Sequence, residues 1–286
     1  MNPSTLRPFP ISVVAMGPGS QGDDAPDYLP MPRMETFAAP RLPDDASPES
    51  IAAACALLHL FITRAETVGF AMLSDFDLLD LSPGVREVIN QSLGFGEVSA
   101  FTTGPEHWRV QESAFAGLWR VLKVADDGLF VVDRLETSPI PAVLTDTMRQ
   151  LAAAELPAPA YPPGTMNAPA LIEEIRLQSA AWQPGEAAHI INLTLLPVSD
   201  ADLDTLYDWL GHREVSILSR GYGNCRITST RLKNVWWVQY FNSMDTLILN
   251  SIEVVGMPEV ALASAEDFAD SVDRLREYLD MMAEPI

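Results

Sequence analysis

Apolar and polar positions alternate most clearly in the C-terminal half of the chain. Leu203, Leu206, Tyr207 and Leu210 recur at helical spacing behind Ser199, a good N-cap, so a helix is predicted over about 200–210. Upstream, the stretch 168–182 has the same period. The string HIINLTLLPV from His189 is rich in β-branched and apolar residues and predicts a strand. Beyond the 200–210 helix, four apolar runs separated by short turns fall at about 214–218, 225–230, 235–241 and 246–255, the pattern of an antiparallel meander. Residues 264–284 read as a final helix, and Ile51–Ile62 as a buried helix too short to span a bilayer.

The same series of elements occurs twice. At an offset of 117 residues Leu93, Gly94, Glu97, Val98 and Ser99 lie over Leu210, Gly211, Glu214, Val215 and Ser216. Gly104, Arg109, Trp119, Val121, Glu136, Pro141 and Val143 find identical partners further on. About a dozen identities over some fifty positions far exceed the roughly three expected from residue frequencies. Ser82 repeats the N-cap with Pro83 at the first helical position, and Gly94 and Gly211 stand where C-caps belong. The fold class predicted is α+β: two tandem, similar modules, each an antiparallel sheet covered by helices. The boundaries drawn are a Pro/Gly-rich N-terminal arm (1–39), a diverged first module (40–156) and a second module with the C-terminal helix (157–286). The counterpart of that helix is placed near 142–155.

Charge narrows the range of partners more than composition does. The net charge is −21 and the sequence pI about 4.4, which disfavours nucleic acid and anionic membrane surfaces and favours basic polypeptides. Cys55 and Cys225 are the only cysteines, a usage that suits a reducing compartment and cannot form a disulfide framework. With no signal-peptide pattern at the N-terminus, a cytoplasmic location is expected.

The sequence carries binding features and no assembled active site. RGYGNCRI (Arg220–Ile227) reads as a hairpin turn; without Gly-Lys-Ser/Thr or a following helix it is not a phosphate loop. Two readings stand for Cys225: a packed thiol, since its copy-1 counterpart is Trp108 on an apolar face, or a reactive or metal-binding thiol. Arg109 and Arg226 occupy matching positions and project to the opposite face. Five basic residues and one acid lie between Arg213 and Lys233, a stripe that pairs either with the protein's own carboxylates or with an acidic partner or cluster ligand. Trp237 replaces Arg120 of copy 1, which suggests cover by the other module, by a partner or by core. Asp202 and Asp204 read as a solvated helix face. The histidines His59, His107, His189 and His212 show no metal-ligand spacing, and no cofactor is expected.

Three strings carry a resemblance: HIINLTLLPVSDADLDTLYDWLG, EVSILSRGYGNCRITST and NVWWVQYFNSMDTLILNSIEV, with MGPGSQ (Met16–Gln21) in the arm. Over about 188–258 the chain resembles the HupH/HyaF-type hydrogenase expression proteins. The resemblance implies an accessory, non-enzymatic protein in the maturation of uptake nickel–iron hydrogenases, acting as a chaperone of the iron–sulfur small-subunit precursor before its twin-arginine export. A related branch is linked to the nickel–iron site of the large subunit. The family offers no catalytic residues to carry over. Arg220, Tyr222, Asn224, Arg226 and Trp237, with Gly17, Gly19 and Gln21 of the arm, are the partner-binding candidates.

Overall fold

The computed structural model describes residues 40–41, 46–70, 74–221 and 223–283. Helix α1 (Pro48–Val68) opens on Ser47, whose Oγ accepts from Ser50 N at 3.2 Å, and closes at Gly69. Its 21 mostly apolar residues meet the length of a membrane span, but Leu58, Phe61, Ile62 and Ala65 are core. Strand β1 (Ser74–Asp77), helix α2 (Pro83–Leu93), the meander β2 (Val98–Thr102), β3 (His107–Glu112), β4 (Leu118–Val124) and β5 (Phe130–Thr137), and helix α3 (Ala142–Leu151) complete the first half. The second half holds α4 (Ala168–Ala181), β6 (His189–Asn192), α5 (Asp200–Leu210), β7 (Val215–Ser219), β8 (Asn224–Ser229), β9 (Val235–Phe241), β10 (Leu247–Val254), a 3-10 turn (Glu259–Ala261) and α6 (Ala265–Ala283).

Helices α2 and α5 and four successive strand pairs (β2/β7 through β5/β10) each begin 117 residues apart. The predicted caps form: Ser82 and Ser199 accept from Val85 and Asp202 N–H groups, and Gly94 and Gly211 end their helices at φ +60° and +62°. β6 is shorter than its apolar run predicts. The Asn192 side chain accepts from Thr194 N (3.0 Å) and Leu195 N (3.2 Å), and this Asx turn bends the chain off the sheet edge.

The modules do not form two sheets. β2 pairs with β7, giving one ten-stranded sheet in the order β1-β5-β4-β3-β2-β7-β8-β9-β10-β6. Ala100 faces Ile217, its own copy at the 117-residue offset, so a pseudo-two-fold axis passes between these residues, normal to the sheet. The neighbouring pairs Val98–Ser219 and Thr102–Val215 exchange under that axis. An antiparallel seam is what such an axis requires of two adjoining strands.

Three cores follow. On one face α1, α2 and α6 pack over β4 and β5 through Leu118 and Leu135, while α4 and α5 pack over β9 and β10 through Val235, Trp237, Ile252 and Val254. On the other face a shared core joins both modules, pairing Val98 with Val215, Trp119 with Trp236 and Leu144 with Ala261. The C-terminal helix therefore belongs in space to the first module. Ser271 on α6 accepts from Ala116 N at 2.8 Å, and Ser179 on α4 donates to Lys233 O at 2.8 Å, where Ala116 and Lys233 are copies of one position. Helix α6 thus holds on module 1 the post that α4 holds on module 2. Its expected counterpart near 142–155 is a different element, packed on the opposite face.

Candidate partner-binding face

The two helical layers leave a polar strip between them. Neither helix-covered core draws a buried residue from β2, β3, β7 or β8. The strand registers give two side-chain rows on this face, exchanged by the pseudo-two-fold. One runs Arg120, Gln111, Ser99, Leu218, Arg226, Gln239, Asn250; the other runs Trp237, Thr228, Ser216, Phe101, Arg109, Leu122, Asp133. Arg109, Gln111, Leu122, Ser216, Leu218 and Arg226 are half-buried and form the floor.

At the ends of the rows the two copies diverge. In copy 1 Arg120 meets Asp133 through a two-pronged contact, Nε–Oδ1 2.9 Å and Nη2–Oδ2 2.8 Å. Copy 2 replaces this ion pair by Trp237 and Asn250, with the indole N–H donating to Oδ1 at 2.6 Å. Trp237 is 1% exposed, roofed by Tyr207 and His212. That corrects the reading of Trp237 as a partner anchor: α5 covers it, and it is core.

Arg109 and Arg226 are different. Neither makes an ion pair among the described residues, and the Nε of Arg109 and one terminal nitrogen of Arg226 are buried without a hydrogen-bond partner. The guanidinium carbon of Arg226 lies over the Phe241 ring, 4.7 Å from its centroid. Asn224 shares the face with Arg226 and donates to Asp245 at 3.5 Å, and Arg220 lies in the β7–β8 connection beside it. A Cβ on Gly221 would collide with the Glu97 carboxylate, and Gly223 takes φ +104°, which accounts for both glycines. The candidates Tyr222, Gly17, Gly19 and Gln21 lie outside the described residues.

The basic stripe between Arg213 and Lys233 is therefore not one patch. Arg213 pairs with Glu214 at 3.3 Å, and Arg231 donates to the Asp208 and Trp209 carbonyls at the end of α5. Of these residues, Arg226 is the one that strand register sets on the strip. Gln239, opposite Arg226 in register, and Gln111, two residues along β3 from Arg109, carry no charge or motif in the sequence; the one signal available was the alignment of Arg109 with Arg226.

The opposite face is closed. Cys225 is 1% exposed in the shared core, beside the Tyr240 hydroxyl, and burial pushes its thiol up to about 12. His212 lies on the other side of the sheet, where burial holds it down to about 4. Three carboxyls are buried on the Cys225 side, namely Glu112, Glu136 and Glu253, each raised chiefly by desolvation, Glu112 to about 7. Among the described residues no group of three or more His, Cys, Asp or Glu side chains has metal-binding geometry.

A sheet doubled edge to edge, with a polar strip between two helical layers, defines a duplicated α+β protein. The family model described as "HupH hydrogenase expression protein, C-terminal conserved region" matches residues 55–156 and 165–282, and the chain belongs to this family. Hydrogenase expression/formation protein HoxQ of Cupriavidus necator is 42% identical over 289 residues, covering 96% of this chain and 98% of that protein. HupH of Rhodobacter capsulatus is 43% identical over 276 residues, covering 95% and 98%; the hydrogenase-1 operon protein HyaF of Escherichia coli is 34% identical over 278, covering 94% and 96%. The solved structure of the hydrogenase expression protein HupH from Thiobacillus denitrificans covers 40% of this chain and 94% of that one, at 30% identity and a TM-score of 0.36.

Proposed function

We propose that this protein is a cytoplasmic, non-enzymatic chaperone in the maturation of a membrane-bound uptake nickel–iron hydrogenase, and that it holds the iron–sulfur small-subunit precursor before export. The observation that carries this reading is identity of 42–43% over nearly the whole chain to proteins named for hydrogenase expression and formation. A twin-arginine leader is basic, and α6 offers a surface of matching sign. Glu266, Asp270, Asp273, Glu277 and Asp280 recur at alternating four- and three-residue spacing along one exposed stripe of that helix. Burial of Cys225 argues against the rival reading, a thiol-dependent metal or cluster carrier. A second rival, a scaffold for nickel–iron centre assembly, differs in its client, the large subunit.

Tagged protein purified from hydrogenase-expressing cells distinguishes the clients. Co-elution of the small-subunit precursor, weakened by added salt and by Arg→Gln changes in its leader, is the expected result. Co-elution of the large subunit alone, or binding indifferent to salt and leader charge, overturns it.

A further inference from the structure

Among the described residues, Arg64, Arg120, Lys123, Arg134, Arg149, Arg176, Arg213 and Arg276 each lie within ion-pair reach of a carboxylate. Acids are plentiful, with 39 Asp and Glu against 18 Lys and Arg. The unpaired state of Arg109 and Arg226 is therefore not a shortage of partners. Half-burying a guanidinium without a counter-charge costs desolvation that a nearby carboxylate would offset. Both copies of the repeat carry that cost at the same position.

We propose that Arg109 and Arg226 form a two-point docking site for an extended acidic polypeptide segment, supplied by a client or another accessory protein. The positions lie on β3 and β8, three strand spacings apart and two residues out of register, which sets their Cα atoms roughly 16 Å apart. An extended chain advances about 3.4 Å per residue and turns alternate side chains to one side, so carboxylates four positions apart, about 14 Å, reach both guanidinium groups. Arg226 is held by its cation–π contact with Phe241, and its planar fork suits a carboxylate. This contact is opposite in sign to the α6 stripe and holds whichever hydrogenase subunit is the client.

The test is fluorescence anisotropy with the full chain and a labelled peptide of roughly twelve Ser, Thr and Val residues carrying two glutamates four positions apart, beside the same peptide with glutamines. The glutamate peptide is expected to bind about a hundredfold more tightly, with R109Q and R226Q each costing about tenfold and R109Q/R226Q together erasing the difference. Arg149→Gln, on an exposed helix, is expected to change nothing. Equal binding of the two peptides, absence of binding, or an equal loss in Arg149→Gln overturns the proposal. Where R109Q/R226Q fails to melt cooperatively, R109K/R226K decides, because charge remains while the fork is gone. Loss of more than about threefold supports the site, and unchanged binding overturns it.

Discussion

Asp202 joins two helices through one carboxylate. Its Oδ1 accepts from the backbone N–H groups of Met166, Asn167 and Ala168, each at 2.8 Å, at the start of α4; its Oδ2 takes Ser199 N at 2.9 Å and Ser199 Oγ at 2.8 Å at the start of α5. Burial alone would raise its pKa, but hydrogen bonds from Ala168, Ser199 and Met166 outweigh it and hold the carboxyl well below the ordinary range. A depressed folded pKa contributes stability that is whole above the ordinary 3.8 and is lost as pH falls through it. Asp202→Ala is expected to cost about 3 kcal/mol in urea unfolding at neutral pH and to flatten the acid limb of the stability profile. Glu112 runs the other way. It is 7% exposed with a pKa raised to about 7, so its contribution is whole below the ordinary 4.5 and is lost as pH rises towards 7. Glu112→Gln is expected to stabilise the fold by up to about 3 kcal/mol at pH 8 and by little at pH 5, read from paired urea titrations. Neither role was legible in the sequence. Asp202 stands among Asp200 and Asp204 on what reads as a wet helix, and the N–H groups it satisfies arrive from about 35 residues upstream. Trp237 misled for the same reason: the repeat shows that Arg occupies its position in copy 1, but not that α5 roofs it in copy 2.

At the scale of elements, what local chemistry controls was legible and what distant contacts control was not. Ser82, Pro83, Gly94, Ser199 and Gly211 bound two helices at the residues expected of them, because a cap acts within one turn. Asn192 shortened β6 by an equally local device that the apolar run concealed. The destination of α6 carries no such signal. Its apolar stripe, Phe268, Val272, Leu275 and Leu279, fits any apolar surface, and only tertiary contact assigns it to α1, with Phe268 stacked on Phe70 at 4.4 Å between centroids. Removing that ring tests the assignment. Phe268→Ala is expected to cost about 3 kcal/mol and, in hydrogen exchange, to loosen the amides of α1 and α2 while leaving those of α4 and α5 protected. Loosening of the second pair instead would place α6 on the wrong module.

At the scale of the whole molecule the doubling matters because the two copies share structure that neither can complete. The β2–β7 seam satisfies a row of backbone groups that either half would leave exposed as an open edge. The core beneath it is assembled pairwise from both copies, and α6 closes the first module from the far end of the chain. A unit divided at 156/157 would present the bare edge, lose half of the shared core and, in the first piece, uncover α1. The full chain is accordingly expected to unfold in one transition, with tryptophan fluorescence and far-ultraviolet circular dichroism coincident across a urea series. Residues 40–156 and 157–286 expressed apart are expected to give no cooperative melt alone and to regain one when mixed, as the seam re-forms between chains. Two separated transitions in the intact chain, or a cooperative melt in either half, would show two independent domains that merely touch. The same rigidity keeps Arg109 and Arg226 at a fixed spacing, since both ride on strands of one sheet, and a two-point site reads the distance between charges only if its own two points do not move.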